Sequence, residues 1–567
     1  MATINGKIIF VTTSPRTPSL MIPDIKLLID HFDGQKWNNA NQREFIMKKR
    51  ERDGIDPDEV ALEDGNVELA ARDRINRAPK ALGFITIDPV IKLTEVGRLL
   101  ITKKRTEEIL LRQLLKFQLP SPYHKQGKNN TTHFFCKPYL EIFRLIRYFG
   151  SLSFDEIRIF GLQLVDFNLF DEIVEKIKNF RNQKAKNKGK YKQFFYTTIV
   201  AETKSIYHQN FSEQKFKTRE TNDKSIQKFI ATKVQLSRDY ADAMFRYLRA
   251  TGMVEFSKHG MSISIAPSKI EEVDYFLQTV PREPQFVNNL RDYTAYLTNP
   301  NLPVLLTDNK DKLVQKIRKE FPQVSVSESE EISTLKEVLY SEREKKKNEI
   351  INEQIAIIKD KQQYDDIVDT FEKIRAKEFY DAPLMFEWNA WRAMTMIDGG
   401  KIKANLKFDD SGLPMSTAAG NAADIECDYG DFGLTVELTL STGQRQFFTE
   451  GEPVPRHLGR FKEKINKPVY GLFIANTLNP ATIAHFYSLS KLNIDYYGGD
   501  TIIVPLELNV FEKMLADSYQ AKYVPKPENI RCFFEKAKAI SKSVEGENAQ
   551  DTWHEEVVEA ALKWLNN

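Results

Sequence analysis

From Ser329 to Phe379 the chain contains neither Pro nor Gly, is crowded with charge (EVLYSEREKKKNEIINEQIAIIKDK) and favours helix throughout. Such a stretch reads as a solvated helical connector that sets a distance, so the sequence before and after it must fold around separate cores. The 567 residues agree with that reading, because a single core stops growing well below this length and a domain usually takes about 100 to 200 residues.

The composition, 41% apolar and 28% charged, is that of a globular protein, and no apolar run reaches the length of about 18 residues that a membrane-spanning helix needs. A membrane partner is therefore not expected. The opening residues, MATINGKIIFVTTSPRTP, lack the long apolar core of a secretion signal, and the expected location is cytoplasmic. Cys136, Cys427 and Cys532 are widely separated with no C-x-x-C spacing, which indicates three reduced thiols rather than disulfides or a thiolate zinc site. The net charge of +3 hides an uneven distribution: Glu175 to Lys233 carries 15 Lys/Arg against 5 Asp/Glu. A local excess of that size can face phosphates, although a charge run is more often a solvated face.

The N-terminal half contains a series of small units. After a strand-like segment, Lys7 to Thr13, and a helical pattern, IPDIKLLIDHF, the stretch ARDRINRAPKALGFITIDPVIKLTEVGRLLI predicts helix, hairpin and helix. Its strands are Leu82 to Ile87 and Val90 to Leu93 about an Asp88-Pro89 turn, with Thr94 capping the next helix. A second unit has helices at Glu107 to Phe117, PYLEIFRLIRYFG and SFDEIRIFGLQL, the last two broken at Gly150-Ser151. In the third, LSRDYADAMFRYLRATGMVEFSKHGMSISIAPSK, Ala241, Met244, Phe245 and Leu248 follow helical spacing, and a hairpin turning at Lys258-His259-Gly260 comes next. Helix followed by hairpin is the shape of a winged-helix module, and the series suggests double-stranded DNA as the partner. The expected division is a first module over 1–110, a second over 111–220, a third over 221–290, a mostly helical linker over 291–380 and a further domain over 381–567.

Beyond Tyr380 the strand-like runs ADIECDY, GLTVELTL, VYGLFIAN and TIIVPLEL alternate with the helical stretches ATIAHFYSLSKL and NVFEKMLADSY, so this domain is α/β and the whole chain multidomain α+β. Asp424 opens the first of those strands and Glu437 lies within the second, with the turn-rich DYGDFG between them. Two adjacent antiparallel strands would bring both carboxylates to one sheet edge. Glu450 follows Glu437 by the same thirteen residues that separate Glu437 from Asp424. Glu387 is the one acid in the apolar helical run LMFEWNAWRAM, where burial is costly without a partner or a metal. Mg²⁺ prefers such carboxylate oxygens, and the expected metal ligands are Asp424, Glu437 and Glu450. An ion held there could promote attack of water on phosphorus, the chemistry of phosphodiester hydrolysis.

These segments resemble those of the AlwI-type type IIS restriction endonucleases, a family that includes strand-specific nicking enzymes. The matching stretches, in family order, are GKIIFVTTSPRTP, ARDRINRAPKALGFITID with LTEVGRLL, LLRQLLKFQLPSPYH, RYLRATGMV, FEWNAWRAM, STAAGNAADIECDY, TVELTLSTGQRQF and EGEPVPRH. The resemblance implies tandem winged-helix-like recognition modules, a linker and a C-terminal nuclease domain of the PD-(D/E)xK type, with catalytic acids at Glu387, Asp424, Glu437 and Glu450. It also implies binding to a short asymmetric DNA sequence and cleavage at a fixed distance to one side. One departure matters: two residues after Glu437, where that motif has Lys, stands Thr439, and a hydroxyl cannot supply an ammonium's charge. Gln446, His457 or another nearby basic residue is the expected substitute. Arg72, Arg74 and Arg77 in the first module and Arg238 and Arg246 in the third are the candidate DNA-binding side chains, most of them as phosphate contacts.

One acidic cluster hydrolyses one phosphodiester per binding event, so the enzyme is expected to bind as a monomer and to need a transient dimer or a second subunit for double-strand cleavage. The competing reading is a non-catalytic regulator that uses the same modules to bind an operator. No G-x-x-x-x-G-K-[ST] loop is present, which argues against an ATP-driven translocating system, and neither a G-x-S-x-G elbow nor an H-E-x-x-H helix occurs.

Overall fold

Helical spacing of apolar residues accounts for most of the first half of the chain. In the computed structural model, which describes residues 2–53, 67–102, 105–218, 221–257, 260–398, 401–417, 422–521 and 523–566, two units are distinguished. One consists of Met1–Ser257 with Met261–Glu342, and the other chiefly of Arg343–Asn567. The division falls at 342/343, inside the long helix Ile332–Lys359, rather than at the expected 380/381.

In the first unit the helix Met21–Phe32 buries Met21, Ile22, Ile25, Leu28 and Phe32. The segment before it departs from expectation. Ile8, Ile9 and Val11 are buried, but Lys7 to Thr13 joins no ladder, and Ile9 instead donates its N–H to the Leu162 carbonyl at 2.7 Å. The N-terminal ladder is Ala2–Ile4, parallel to His124–Gln126. The first predicted hairpin is present, as Ile85–Thr86 paired antiparallel with Lys92–Leu93. Thr94 caps the following helix, Glu95–Ile101, accepting from the Gly97 N–H at 3.0 Å. Gly97 admits no side chain, since a Cβ there would lie 2.0 Å from the Phe84 carbonyl oxygen.

The stretches read as second and third modules are knit together. Ser262–Ile265 pairs on one side with Val254–Phe256 and on the other with Ser151–Ser153, giving one three-stranded sheet that draws on both. In sequence the helix Pro138–Phe149 precedes the first of these strands and Ile226–Arg249 precedes the other two. Of the turn expected at 258–260, residues 258–259 lie outside the described residues.

The charged stretch is helical, as Ile332–Lys359 and Tyr364–Arg375, yet it is not a solvated connector. Leu335 and Leu339 are buried in a small core with Leu313, Val314, Ile317, Phe321 and Val326. Ile358, Ile367, Phe371 and Ile374 belong to the core of the second unit. The apolar positions are sparse in a highly charged sequence, but they are enough to bury one stripe of each helix.

The second unit is built on a mixed five-stranded sheet. Its strands are β1 (Lys401–Ala404), β2 (Ile425–Asp428), β3 (Gly433–Thr439), β4 (Val469–Ala475) and β5 (Ile503–Glu507), in the spatial order β5-β4-β3-β2-β1. The first three run antiparallel to their sequence neighbours, and β3, β4 and β5 run parallel. The parallel β4 is buried at every position, as a strand covered on both faces must be. Three helices frame the chemistry: α1 (Ala382–Asp398), before β1, and α2 (Gln444–Glu450) and α3 (Pro453–Ile465), which form the crossover from β3 to β4.

Candidate active site

The β2-β3 hairpin fixes the first two acids. Its turn is set by Gly430, at φ +92°, and by the Asp428 carboxylate accepting the Gly430 N–H at 3.0 Å. With that turn the register pairs Ile425 with Val436 and Glu426 with Thr435. Continued by one residue, it sets Asp424 opposite Glu437. Cross-strand partners share a face, so Asp424, Glu426, Thr435, Glu437 and Thr439 point one way while Leu434 and Val436 enter the core on the other. Asp424 keeps part of its surface in solvent, whereas Glu437 is buried.

Asp424 Oδ2 accepts the Leu438 N–H at 2.9 Å, which fixes the carboxylate along the edge of β3. Glu437 Oε1 lies 2.7 Å from His457 Nδ1 on α3. Glu450, the last residue of α2, accepts a hydrogen bond from the Thr449 hydroxyl at 3.1 Å and another from the Thr439 hydroxyl. The residue at the place of the usual motif lysine therefore orients an acid instead of carrying a charge. Glu387 lies on α1, where Met385, Phe386, Trp388 and Trp391 are buried, and α1 is seated on β1 by the Trp391 indole N–H bonded to the Ile402 carbonyl at 3.3 Å.

The charges of these acids act on one another. Burial raises Glu387 well above the ordinary carboxylate range, and the charges of Asp424, Asp381 and Glu437 raise it further. Asp424 is raised well above its usual value by burial and then by Glu437 and Glu450. Glu437 is likewise raised, by burial and then by Glu450, against the opposing effects of the Asp424 backbone and Arg456. Glu450 is raised by burial. His457 goes the other way: burial beside Arg456 pushes it down to about 4, so at neutral pH its imidazole is uncharged. The cluster thus holds more negative charge than the cations around it balance, an arrangement that favours protons or a bound cation.

The other predicted residues fare differently. Gln446 is fully buried, but its amide is used on backbone: it donates to the Ser441 and Thr477 carbonyls at 3.0 and 2.9 Å and accepts from the Asn479 N–H at 2.8 Å. It locks α2 to two loops and has no free group to offer a reacting atom. Asp381, not singled out from the sequence, adds its charge to Glu387 from just before α1. Nothing local marked it, since its relevance comes only from where α1 is seated.

Among the candidate DNA-binding arginines, Arg74 lies 3.3 Å from the buried Asp24. Arg77 bonds Asp73 and Thr13, Arg72 bonds the Glu68 carbonyl at 3.2 Å, and Arg246 bonds Asp242 at 3.0 Å. Arg238 alone of the five is exposed and without a hydrogen bond or ion pair among the described residues. In the basic stretch, Lys190 and Lys192 are exposed.

No curated protein matches the chain. Among solved structures, the small subunit (R.BspD6I2) of the heterodimeric restriction endonuclease R.BspD6I is 25% identical over 34% of this chain and 97% of its own, with a TM-score of 0.30. The BpuJ1 endonuclease binding domain, solved in complex with pyrene- and phenanthrene-modified DNA, is 16% identical over 52% of this chain and 96% of its own, with a TM-score of 0.32. The family model described as AlwI restriction endonuclease matches residues 80–514. That match spans both the hairpin of the first unit and the acidic cluster of the second, and the protein is a DNA-cleaving restriction enzyme belonging to the AlwI restriction endonuclease family.

Proposed function

We propose that the enzyme is a type IIS endonuclease or site-specific nickase. On this reading it binds a short asymmetric DNA sequence through winged-helix-like modules of the first unit, and it hydrolyses a phosphodiester at a fixed distance with a Mg²⁺-dependent centre of the PD-(D/E)xK type. The observation that carries the reading is the pairing of Asp424 with Glu437 on one face of the β2-β3 hairpin, with Glu450 and Glu387 contributing charge to the same cluster.

The donor set fits Mg²⁺. It is all oxygen and has an excess of negative charge, and two carboxylates suffice for an ion that keeps several of its waters. Among the described residues no three of His, Cys, Asp and Glu are grouped so as to enclose an ion by themselves, so the remaining positions fall to water and phosphate. Asp424 and Glu437 would hold the ion, with Glu450 at its margin. When bound, Mg²⁺ supplies the positive charge that polarises the phosphate and eases deprotonation of a nearby water.

The chain's own groups do the rest. The Leu438 N–H and the His457 imidazole fix one oxygen each of Asp424 and Glu437, so the carboxylates need no reorganisation when substrate arrives. Glu450, steadied by two threonine hydroxyls and with a raised proton affinity, is suited to take the proton of the attacking water. As that water's oxygen bonds to phosphorus, the bond to the leaving sugar oxygen breaks, and the leaving oxygen takes a proton from solvent. With one such cluster among the described residues, the enzyme binds as a monomer and cuts one strand per encounter, a second nuclease domain being needed for the other strand.

The test is digestion of supercoiled plasmid in Mg²⁺ with run-off sequencing of the ends, beside Asp424→Asn. Discrete cuts at a constant offset from a common short sequence, lost in the variant while site binding in a gel shift persists, are the expected result. Plasmid left intact by the native enzyme in Mg²⁺ and Mn²⁺, despite site-specific binding, would overturn the reading in favour of a non-catalytic regulator.

A further inference from the structure

The motif lysine is replaced by Thr439, which serves Glu450, and Gln446 is consumed by backbone, so neither of these two residues supplies a cation to a phosphate. Among the described residues, α2 and α3 each carry an exposed basic side chain without an assigned role, Arg445 and Arg460, and it is α3 that lies over the paired acids. Helix α3 lies over the β2-β3 hairpin and runs opposite to β3. Its His457 meets Glu437, and one turn and more along, a Cβ on Gly433 would strike Phe461 and Ile465. Lys464 bonds Glu426 at 2.5 Å, on the same sheet face.

Positions 457, 460 and 464 are spaced i, i+3 and i+7, one stripe of a helix. Arg460 therefore stands between the residue that touches Glu437 and the residue that touches Glu426. It is exposed and, among the described residues, it makes no hydrogen bond or ion pair. Its charge is nevertheless felt in the site, being one of the influences that keep His457 from protonating. Helical Cα–Cβ bonds tilt toward the helix N-terminus, which on α3 is the end nearest Asp424, Glu437 and Glu450. The arginine stem is long enough to extend from there along the cluster's open side.

We infer that Arg460 binds the scissile phosphate and stabilises the charge that develops on it during cleavage, the task that a lysine two residues after Glu437 would otherwise perform. A guanidinium suits the task because its planar fork meets two phosphate oxygens at once and stays charged at every working pH. Arg456 is a poorer candidate, being buried and bonded to Glu452 at 2.9 Å.

The inference rests on the nuclease reading above, and single-turnover cleavage in Mg²⁺ with gel-shift binding on the same oligonucleotide separates the two. Arg460→Ala should bind its site as the native enzyme does and cut slower by on the order of 100-fold, the usual loss for one transition-state donor. Arg460→Lys should recover part of that loss, with an unchanged pH profile. If Asp424→Asn is inactive but Arg460→Ala cuts at the native rate, this inference fails and the nuclease reading stands. Equal loss of binding and cleavage in Arg460→Ala would also overturn it, since the residue would then serve DNA affinity alone. If Asp424→Asn still cuts, the nuclease reading itself is lost.

Discussion

Like charges placed opposite one another across two strands repel, and Asp424 and Glu437 stand in that relation. Replacing one by its amide should therefore stabilise the second unit while abolishing cleavage. For Asp424→Asn we expect a gain of about 1 kcal/mol, or roughly 2 to 4 °C in melting temperature for a unit of this size, measured by calorimetry without divalent cations. An unchanged or lower melting temperature would show that the acids are already compensated. The pH dependence has a definite sign. With their folded values raised, these acids contribute stability that is fully present below the ordinary carboxylate range and is lost as pH rises through the raised values. His457 acts oppositely: lowered from 6.5 to about 4, it contributes stability that is present above 6.5 and lost as pH falls toward 4. Mg²⁺ should accordingly raise the melting temperature of the native enzyme at pH 7.5, do so much less at pH 5 where protons compete, and have little effect on Asp424→Asn. Charge pairings, whether of like or opposite sign, were legible only where the partners are close in sequence. Asp424 and Glu437 are joined by a short turn, whereas the salt bridge of Arg74 to Asp24 joins residues fifty positions apart, and this left Arg74 looking free to read DNA.

At the level of elements, the site depends on how closely α3 lies on its neighbours. A Cβ on Gly459 would come within 2.7 Å of the Tyr497 backbone, so Gly459→Ala must lift the helix. The expected cost is about 1 to 3 kcal/mol, with a larger fractional loss of cleavage than of site binding, because His457 and Arg460 move with the helix. Gln446→Leu should cost about 1 to 3 kcal/mol through the backbone groups it leaves unpaired, and chemical denaturation would detect it. A neutral result there would mean that the two loops hold α2 without help. The predicted strands and helices were readable where each carries its own period and its own turn or cap, as in the DYGDFG hairpin of the second unit or the Thr94 cap of the first. The three-stranded sheet of the first unit was not readable, because Ser151–Ser153 pairs with residues more than a hundred positions later, and no local period announces such a partner. For the same reason Lys7 to Thr13 looked like a strand: an extended, buried segment has the composition of one whether or not a neighbour completes its ladder.

Across the whole molecule, the charged stretch was misread as a spacer because its few apolar residues, Leu335, Leu339 and Ile358 among them, matter only once cores exist to receive them. The basic excess between Glu175 and Lys233 is better suited to a sequence-independent role. In full-length Asp424→Asn, the pair Lys190→Gln and Lys192→Gln should reduce the slope of log affinity against log salt by about two, roughly one for each phosphate no longer neutralised. Specific and random DNA should be weakened alike, and an unchanged slope would place the DNA elsewhere. A final consequence follows from the single acidic cluster found among the described residues. A cut made by one such centre leaves the complementary strand whole, so a ligase can reseal it with no loss of information. The damage becomes irreversible only when a second centre arrives before repair does. Lethality toward foreign DNA would then depend on the encounter of two centres, and so would rise more steeply than in proportion to enzyme concentration.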